Sequence, residues 1–251
     1  MLSFSIVTCT WNSEPYLAQC IDSVASQLHP LTEQVFVDGG SEDGSLERIQ
    51  GAQHRSQWVT GVRGGISNAM NEGVKLARGD VVAHLHGDDY YLAPDVLSRV
   101  AEALERSGAD WLFGRIISDI EGSRVEPGWK MPVYSPNQLL AGNFIAHPAT
   151  FIKRDLFLKA RGFDTSLRYA MDYDLWLRLA KISPPYYLDG YLAGFRRHAG
   201  SVSTANAPAA FEEDHLVRRR YLTGANALKN ARHELVHIWR RWRYFSSSIR
   251  R

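Results

Sequence analysis

An α/β fold, with one mostly parallel central sheet and helices packed against it, is what this sequence predicts. Short apolar runs alternate with segments of helical periodicity through the first half of the chain. In one such segment Ile66, Ala69, Met70, Gly73, Val74 and Ala77 all fall on a single helix face. The apolar runs also end in polar clusters, and ligands of open α/β sheets bind beyond the carboxyl ends of the strands.

In chain order, residues 4–8 read as a buried strand, followed by a helix on which Tyr16, Leu17, Cys20, Ile21 and Val24 recur at helical spacing. Residues 34–37 form a second strand that stops at the turn-rich run Asp38, Gly39, Gly40, Ser41, Glu42, Asp43 and Gly44. A third strand covers 58–62, the 66–77 helix follows, a fourth strand covers 80–85, and a helix spans 94–106. The second half is less regular. It offers a strand from 111, a loop over 127–136, a strand over 144–152, a helix over 172–180 and a strand over 186–195. No internal repeat or low-complexity segment is present.

The 251 residues are 45% hydrophobic and 22% charged, the balance of a soluble globular chain rather than a disordered one. No apolar run approaches the ~18 residues a membrane-spanning helix needs. Residues 1–5 enter an apolar run with no basic lead, so no signal peptide is expected. Cys9 and Cys20 read as small buried hydrophobes, which excludes a disulfide framework and fits a reducing cytoplasm. The net charge of +2 is unevenly spread. From His215 onward ten Lys and Arg face a single acid, Glu234, a net +9 that leaves −7 for everything before it. A basic tail on an acidic body points to an anionic surface, a membrane first of all.

Three places could carry chemistry. His86, Gly87, Asp88 and Asp89 end an apolar strand, and two adjacent carboxylates repel unless something compensates. A hard divalent cation shared with a diphosphate would do so; a solvated turn is the plainer reading. Asp38, at the end of the second strand, could accept hydrogen bonds from a base or ribose, whereas the loop after it could equally be a helix entry capped by Asp43 or Ser45. Asp172 opens a helix whose Leu175, Trp176 and Leu179 would face the core, and it is either an N-terminal cap or a general base.

Taken together, in order and spacing, these segments resemble glycosyltransferase family 2. The residues that carry the resemblance are Ser5 to Asn12, Val37 to Ser45, Gly65 to Gly73, Gly79 and Asp80, Gly87 to Asp89, and Met171 to Arg178, within about residues 3 to 205. The resemblance implies the GT-A fold, a single Rossmann-like, mostly parallel sheet, here with a C-terminal helical extension. It implies a catalytic domain over 1–205, with a nucleotide-binding half (1–106) and an acceptor-binding half (107–205), followed by a basic amphipathic segment over 206–251. Thr8, Trp11, Asn12 and Glu14 are expected to line the nucleotide pocket, and Asp38, Arg63 and Asp88 to meet the nucleotide. Asp89 and His198 are expected at a Mn²⁺ or Mg²⁺ ion, Arg196 near the diphosphate, His147 at the start of the acceptor cleft, and Asp172 as the base. The implied reaction passes one sugar from a nucleotide-diphosphate sugar, a UDP-sugar foremost, to a saccharide or lipid-linked saccharide acceptor with inversion.

The chain departs from the family pattern at four points. Gly39 stands where a second acid is usual, His86 where an acid often precedes Asp88, Asn68 where relatives place an acid, and Met171 where a Glu usually precedes the base. These bear on donor choice and leave Asp89 and Asp172 in place. Leu228, Ala231, Leu235, Ile238, Trp242 and Phe245 keep three-four spacing as a narrow apolar seam, suited to packing on a partner helix, to a homodimer, or to the inner face of the cytoplasmic membrane. Nucleic acid is not expected, because no recognised binding motif accompanies the charge. A sugar-phosphate nucleotidyltransferase would need a Gly-rich basic loop after the first strand, and a nicotinamide dehydrogenase a Gly-x-Gly-x-x-Gly; residues 8–12 supply neither. A catalytically silent glycosyltransferase-like binding protein is disfavoured by Asp88, Asp89 and Asp172 together. Processive synthesis is rejected, since the glutamine of the processive signature is missing ahead of Arg241 and Trp242.

Overall fold

The computed structural model describes residues 1–52, 56–128, 130–198, 206–222, 234–238 and 241. The first half follows the expected rhythm: β1 (Phe4–Thr10), α1 (Glu14–Ala25), β2 (Thr32–Asp38), α2 (Ser45–Gln50), β3 (Ser56–Val59), α3 (Gly65–Leu76) and β4 (Val81–His84). Then come β5 (Tyr90–Tyr91), α4 (Val96–Ser107), β6 (Trp111–Ile120), β7 (Ser123–Val125), α5 (Pro136–Ala141), β8 (Thr150–Lys153), α6 (Arg154–Lys159), α7 (Met171–Ile182), β9 (Tyr186–Arg197) and α8 (Ala207–Leu222).

The described strands form one sheet in the order β3-β2-β1-β4-β8-β6-β9-β5, with β7 paired to β6. This corrects the expectation of a mostly parallel sheet. β1, β2, β3 and β4 are mutually parallel, joined by helical crossovers. β8 then enters antiparallel to both β4 and β6, β9 runs parallel to β6, and β5 closes antiparallel on β9. The sheet is therefore mixed. A buried apolar run looks the same in either direction, so sequence periodicity carries no sign of the reversal.

Two smaller differences have local causes. The expected strand over 144–152 is a 3-10 turn (His147–Ala149) followed by β8, because Pro148 has no N–H to give a sheet ladder. β3 stops at Val59 rather than 62, before Gly61 turns into the left-handed region at φ 73°.

Both faces of the sheet are covered, as the buried strands require. On β1, Phe4 and Ile6 pack with α1 and α4 residues such as Leu17, Ile21, Val100 and Leu104, while Val7 and Cys9 pack on the other face with Met70, Val74 and Trp176. Each such fully buried aliphatic side chain contributes about 1.5–3 kcal/mol. Gly73 is what lets α3 lie against β1: a Cβ there would fall 2.3 Å from Val7 Cγ1. Both cysteines are buried and unbridged.

Among the described residues no helix is long and apolar enough to cross a membrane. Of the predicted apolar seam, Leu228, Ala231, Trp242 and Phe245 lie outside the described residues. Leu235 and Ile238 are exposed, whereas His237 is buried and stacks on His215 of α8 at 3.7 Å.

Candidate active site

The carboxyl ends of β1, β2 and β4 bring three loops together. Asp38 ends β2 fully buried, and its carboxylate organises the loop that follows it. It accepts from the backbone N–H groups of Gly40 (2.8 Å) and Ser41 (3.0 Å), from the Thr60 hydroxyl (2.8 Å), from Thr10 Oγ1 (3.2 Å) and from the Ser41 hydroxyl. Burial works to raise its pKa, but the hydrogen bonds from Ser41, Thr60 and Gly40 outweigh it and hold the carboxyl below its ordinary value.

Asn12, in the left-handed region at φ 50°, ties β1 to the same loop. Its N–H donates to Ser41 Oγ (2.9 Å) and its Oδ1 accepts from the Glu42 N–H (3.0 Å). Trp11 projects beside this loop, 70% exposed. Arg63 is also exposed, with its Nη2 3.2 Å from where a Cβ on Gly40 would sit. Thr8 is buried with its hydroxyl accepting from Gln34, and Glu14 pairs with Arg48 while its N–H donates to Asp43 of the same loop at 3.0 Å. Trp11, Asn12, Glu14 and Arg63 thus stand around the Asp38 loop.

The second group forms where the 86–89 turn meets the end of β9. Pairing of Tyr90 with Gly194 in β5 and β9 sets the register that brings these segments side by side. Asp89 is 1% exposed, and its Oδ1 accepts from the Arg196 N–H at 3.0 Å. Burial, reinforced by the neighbouring Asp88 charge, pushes its pKa well up. Asp88 is the more open of the two, and its Oδ2 lies 3.0 Å from His198 Nε2. The Arg196 guanidinium locks this corner, donating to the Asp88 carbonyl (2.7 Å) and to Gln19, over the rings of Tyr16 and Tyr90. The His198 ring also lies against Tyr16, at 4.6 Å.

Among the described residues no three His, Cys, Asp or Glu side chains form a metal cluster. The residues present still fit a divalent ion of the kind that keeps substrate phosphates as ligands. A carboxylate oxygen and an imidazole nitrogen meet at 3.0 Å from two separate elements, and such ions need only one or two protein ligands.

Asp172 sits at the start of α7, half-buried. Its Oδ1 accepts from the Tyr173 N–H (2.6 Å) and its Oδ2 from Asn143 Nδ2 (3.3 Å). Burial raises its pKa to about 6, with a further push from Asp214, while the Tyr173 and Asn143 hydrogen bonds oppose the rise. The helix N-cap is Ala170, so Asp172 is not the cap.

A run of rings links the helix of this carboxylate to the segment that enters the acidic turn. His86, two residues before Asp88, stacks on His147 at 5.0 Å; His147 lies 6.1 Å from Trp176, one helical turn after Asp172. His84 joins at 5.6 Å from His147. Burial lowers the pKa of all three histidines. Nothing in the local sequence marks Asn143, because an asparagine after Gly142 has no distinguishing pattern, and helical spacing marks Tyr16 only as a helix-face residue.

The region 5–157 matches the model of glycosyl transferase family 2. The chain is similar to the chondroitin synthase of Escherichia coli, 30% identical over 186 residues that cover 72% of this chain and 27% of that protein. The chain thus spans about a quarter of that relative's length. Its fold is similar to that of S. aureus TarS 1-349, solved with UDP-GlcNAc: TM-score 0.72, 18% identity, covering 94% of this chain and 70% of that one. It is also similar to the mannosyltransferase PcManGT from Pyrobaculum calidifontis, solved with GDP-Man and Mn²⁺: TM-score 0.69, 16% identity, covering 90% and 66%. The family match extends over more than half of the residues and includes the Asp38 loop and the 86–89 turn just described, so the chain belongs to glycosyl transferase family 2, a family of sugar-transferring enzymes.

Proposed function

We propose that the protein transfers one sugar from a nucleotide-diphosphate sugar, a UDP-sugar foremost, to an acceptor hydroxyl by direct displacement with inversion. The observation that carries this reading is the run of rings from His86, two residues before Asp88, through His147 to Trp176 on the helix of Asp172, whose carboxyl burial raises to about 6. A base with that pKa is ionised at neutral pH yet still takes up a proton readily.

In this reading residues 1–106 hold the nucleotide, with Trp11 and Arg63 beside the Asp38 loop, and residues 107–205 receive the acceptor at the His147 side. Asp88 and His198 would hold Mn²⁺ or Mg²⁺, with Asp89 as the buried anchor of their turn; when bound, the ion offsets the charge of the departing diphosphate. Arg196 keeps Asp88 in place through its carbonyl. Asp172 accepts the proton of the attacking hydroxyl as that oxygen bonds to the anomeric carbon and the bond to the diphosphate breaks. No protein nucleophile takes part. The UDP-GlcNAc and GDP-Man–Mn²⁺ complexes of the two similar folds support a nucleotide-sugar donor and a metal, and chondroitin synthase supports a saccharide acceptor.

A panel of UDP-, GDP- and dTDP-sugars, assayed with and without Mn²⁺, should give metal-dependent release of one nucleoside diphosphate. Pyrophosphate release, or silence with every donor, would sink the reading.

We also propose that residues 206–251 hold the enzyme against an anionic membrane surface on the cytoplasmic side. The net +9 from His215 onward and the exposed Leu235 and Ile238 support this. Truncation after about residue 226 should weaken co-sedimentation with anionic vesicles to near that of neutral ones; unchanged sedimentation, or a shift from dimer to monomer instead, would assign the seam to protein packing.

A further inference from the structure

The N-cap of helix α7 is Ala170, whose side chain accepts no hydrogen bond from the first N–H groups of the helix. The backbone that leads into α7 is held instead by an acceptor from α8. One oxygen of the Glu213 carboxylate accepts from the Arg168 N–H at 3.0 Å; the other accepts from the N–H groups of Tyr169 and Ala170 at 2.5 and 2.7 Å. Two more α8 side chains grip the same stretch. Arg220 meets Asp164 at 2.8 Å, and the Tyr221 hydroxyl donates to Asp174 Oδ1 at 3.0 Å. The gripped stretch, 164–174, contains Asp172, and with α8 it lies outside the region the family model matches.

Three consecutive backbone donors on one carboxylate make a stiff support, since losing the acceptor leaves all three to find new partners. Asp172 is two residues beyond the last of them. We propose that Glu213 is a positioning residue for the base: by holding the 168–170 backbone it fixes the first turn of α7, and so the direction in which Asp172 presents its carboxylate to the acceptor hydroxyl. This rests on the reading of Asp172 as that base.

The test compares Glu213→Gln, Glu213→Asp and Asp172→Asn in the whole protein. Glutamine keeps the length and one acceptor oxygen but turns an NH₂ toward backbone donors. Glu213→Gln should lower the transfer kcat about 10- to 100-fold and leave the donor KM within about twofold. Loosening the first turn lets water reach Asp172, so the acid limb of the kcat–pH profile should move down from about 6 toward the ordinary carboxylate range. The 168–170 amides should also lose hydrogen-exchange protection. Glu213→Asp, which keeps the charge, should recover part of kcat and of the limb, and it carries the same test if the glutamine variant does not fold.

An unmoved pH limb with normal kcat, or kcat and donor KM worsening together with a lower Tm and an unmoved limb, would reduce Glu213 to a fold contact. If Asp172→Asn keeps its transfer rate, the base assignment and the positioning role fall together. If Asp172→Asn loses transfer while the Glu213→Gln limb stays put, only the positioning role falls.

Discussion

Asp172→Asn should abolish nearly all transfer while leaving donor binding intact, with kcat falling by about 10²–10⁴-fold. Asparagine fills the same space and can still accept from the Tyr173 N–H, so the start of α7 keeps its geometry. What is lost is the capacity to take up a proton. The pH dependence makes the assignment specific. A carboxyl with a pKa of about 6 is protonated and inactive as a base below that pH and ionised above it, so wild-type kcat should climb through about pH 6 and then level off. The residual activity of Asp172→Asn should show no such limb. Donor affinity, measured by calorimetry with the nucleotide sugar, should stay within about twofold, because the proposed role places the carboxylate on the acceptor side. A variant that retains the rise near pH 6, or that loses donor affinity in step with kcat, would place the base elsewhere.

Asp88→Asn should have the second-largest effect, a loss of about 10²-fold or more in metal-stimulated turnover with a weakened response to added Mn²⁺. The physical ground is the contrast between two neighbours. Asp89 is almost completely buried and takes a backbone N–H from Arg196, whereas Asp88 is partly open and reaches the His198 ring at 3.0 Å. An ion that must also meet a soluble diphosphate is better served by the open carboxylate. His198→Gln should raise the Mn²⁺ concentration needed for half-maximal activity in the same direction as Asp88→Asn. Manganese titration of the turnover rate reads both. If Asp88→Asn responds to Mn²⁺ as wild type does while Asp89→Asn does not, the metal carboxylate is Asp89, as the linear motif suggests.

Much of the candidate site is legible in the sequence because it lies where strands end. Asp38, Asp88 and Asp89 each follow an apolar run, and a run long enough to be a strand fixes which residues reach its rim. Asp172 was legible as the opening of a helix with buried Leu175, Trp176 and Leu179. Their partners were not. His198 and Asp88 stand 110 positions apart, Asn143 and Asp172 stand 29 apart, and no local period reports such pairings. The occupation of Asp38 by Ser41, Thr60 and Thr10 was equally hidden, since Thr60 reaches it only by the pairing of β3 with β2.

By itself the sequence determined an α/β protein whose covered strands alternate with helices in the first half, the polar rim of those strands, and its membership of a sugar-transferring family. The tertiary structure decided the direction of β8 and hence the mixed sheet, the different exposure of two adjacent aspartates, and the contact of α8 with the backbone that leads into α7. The division follows from range. Periodicity and turn chemistry act over a few residues and are written in the order of amino acids. Strand direction and side-chain partnership depend on which distant segments share a core, a competition settled only when the whole chain packs.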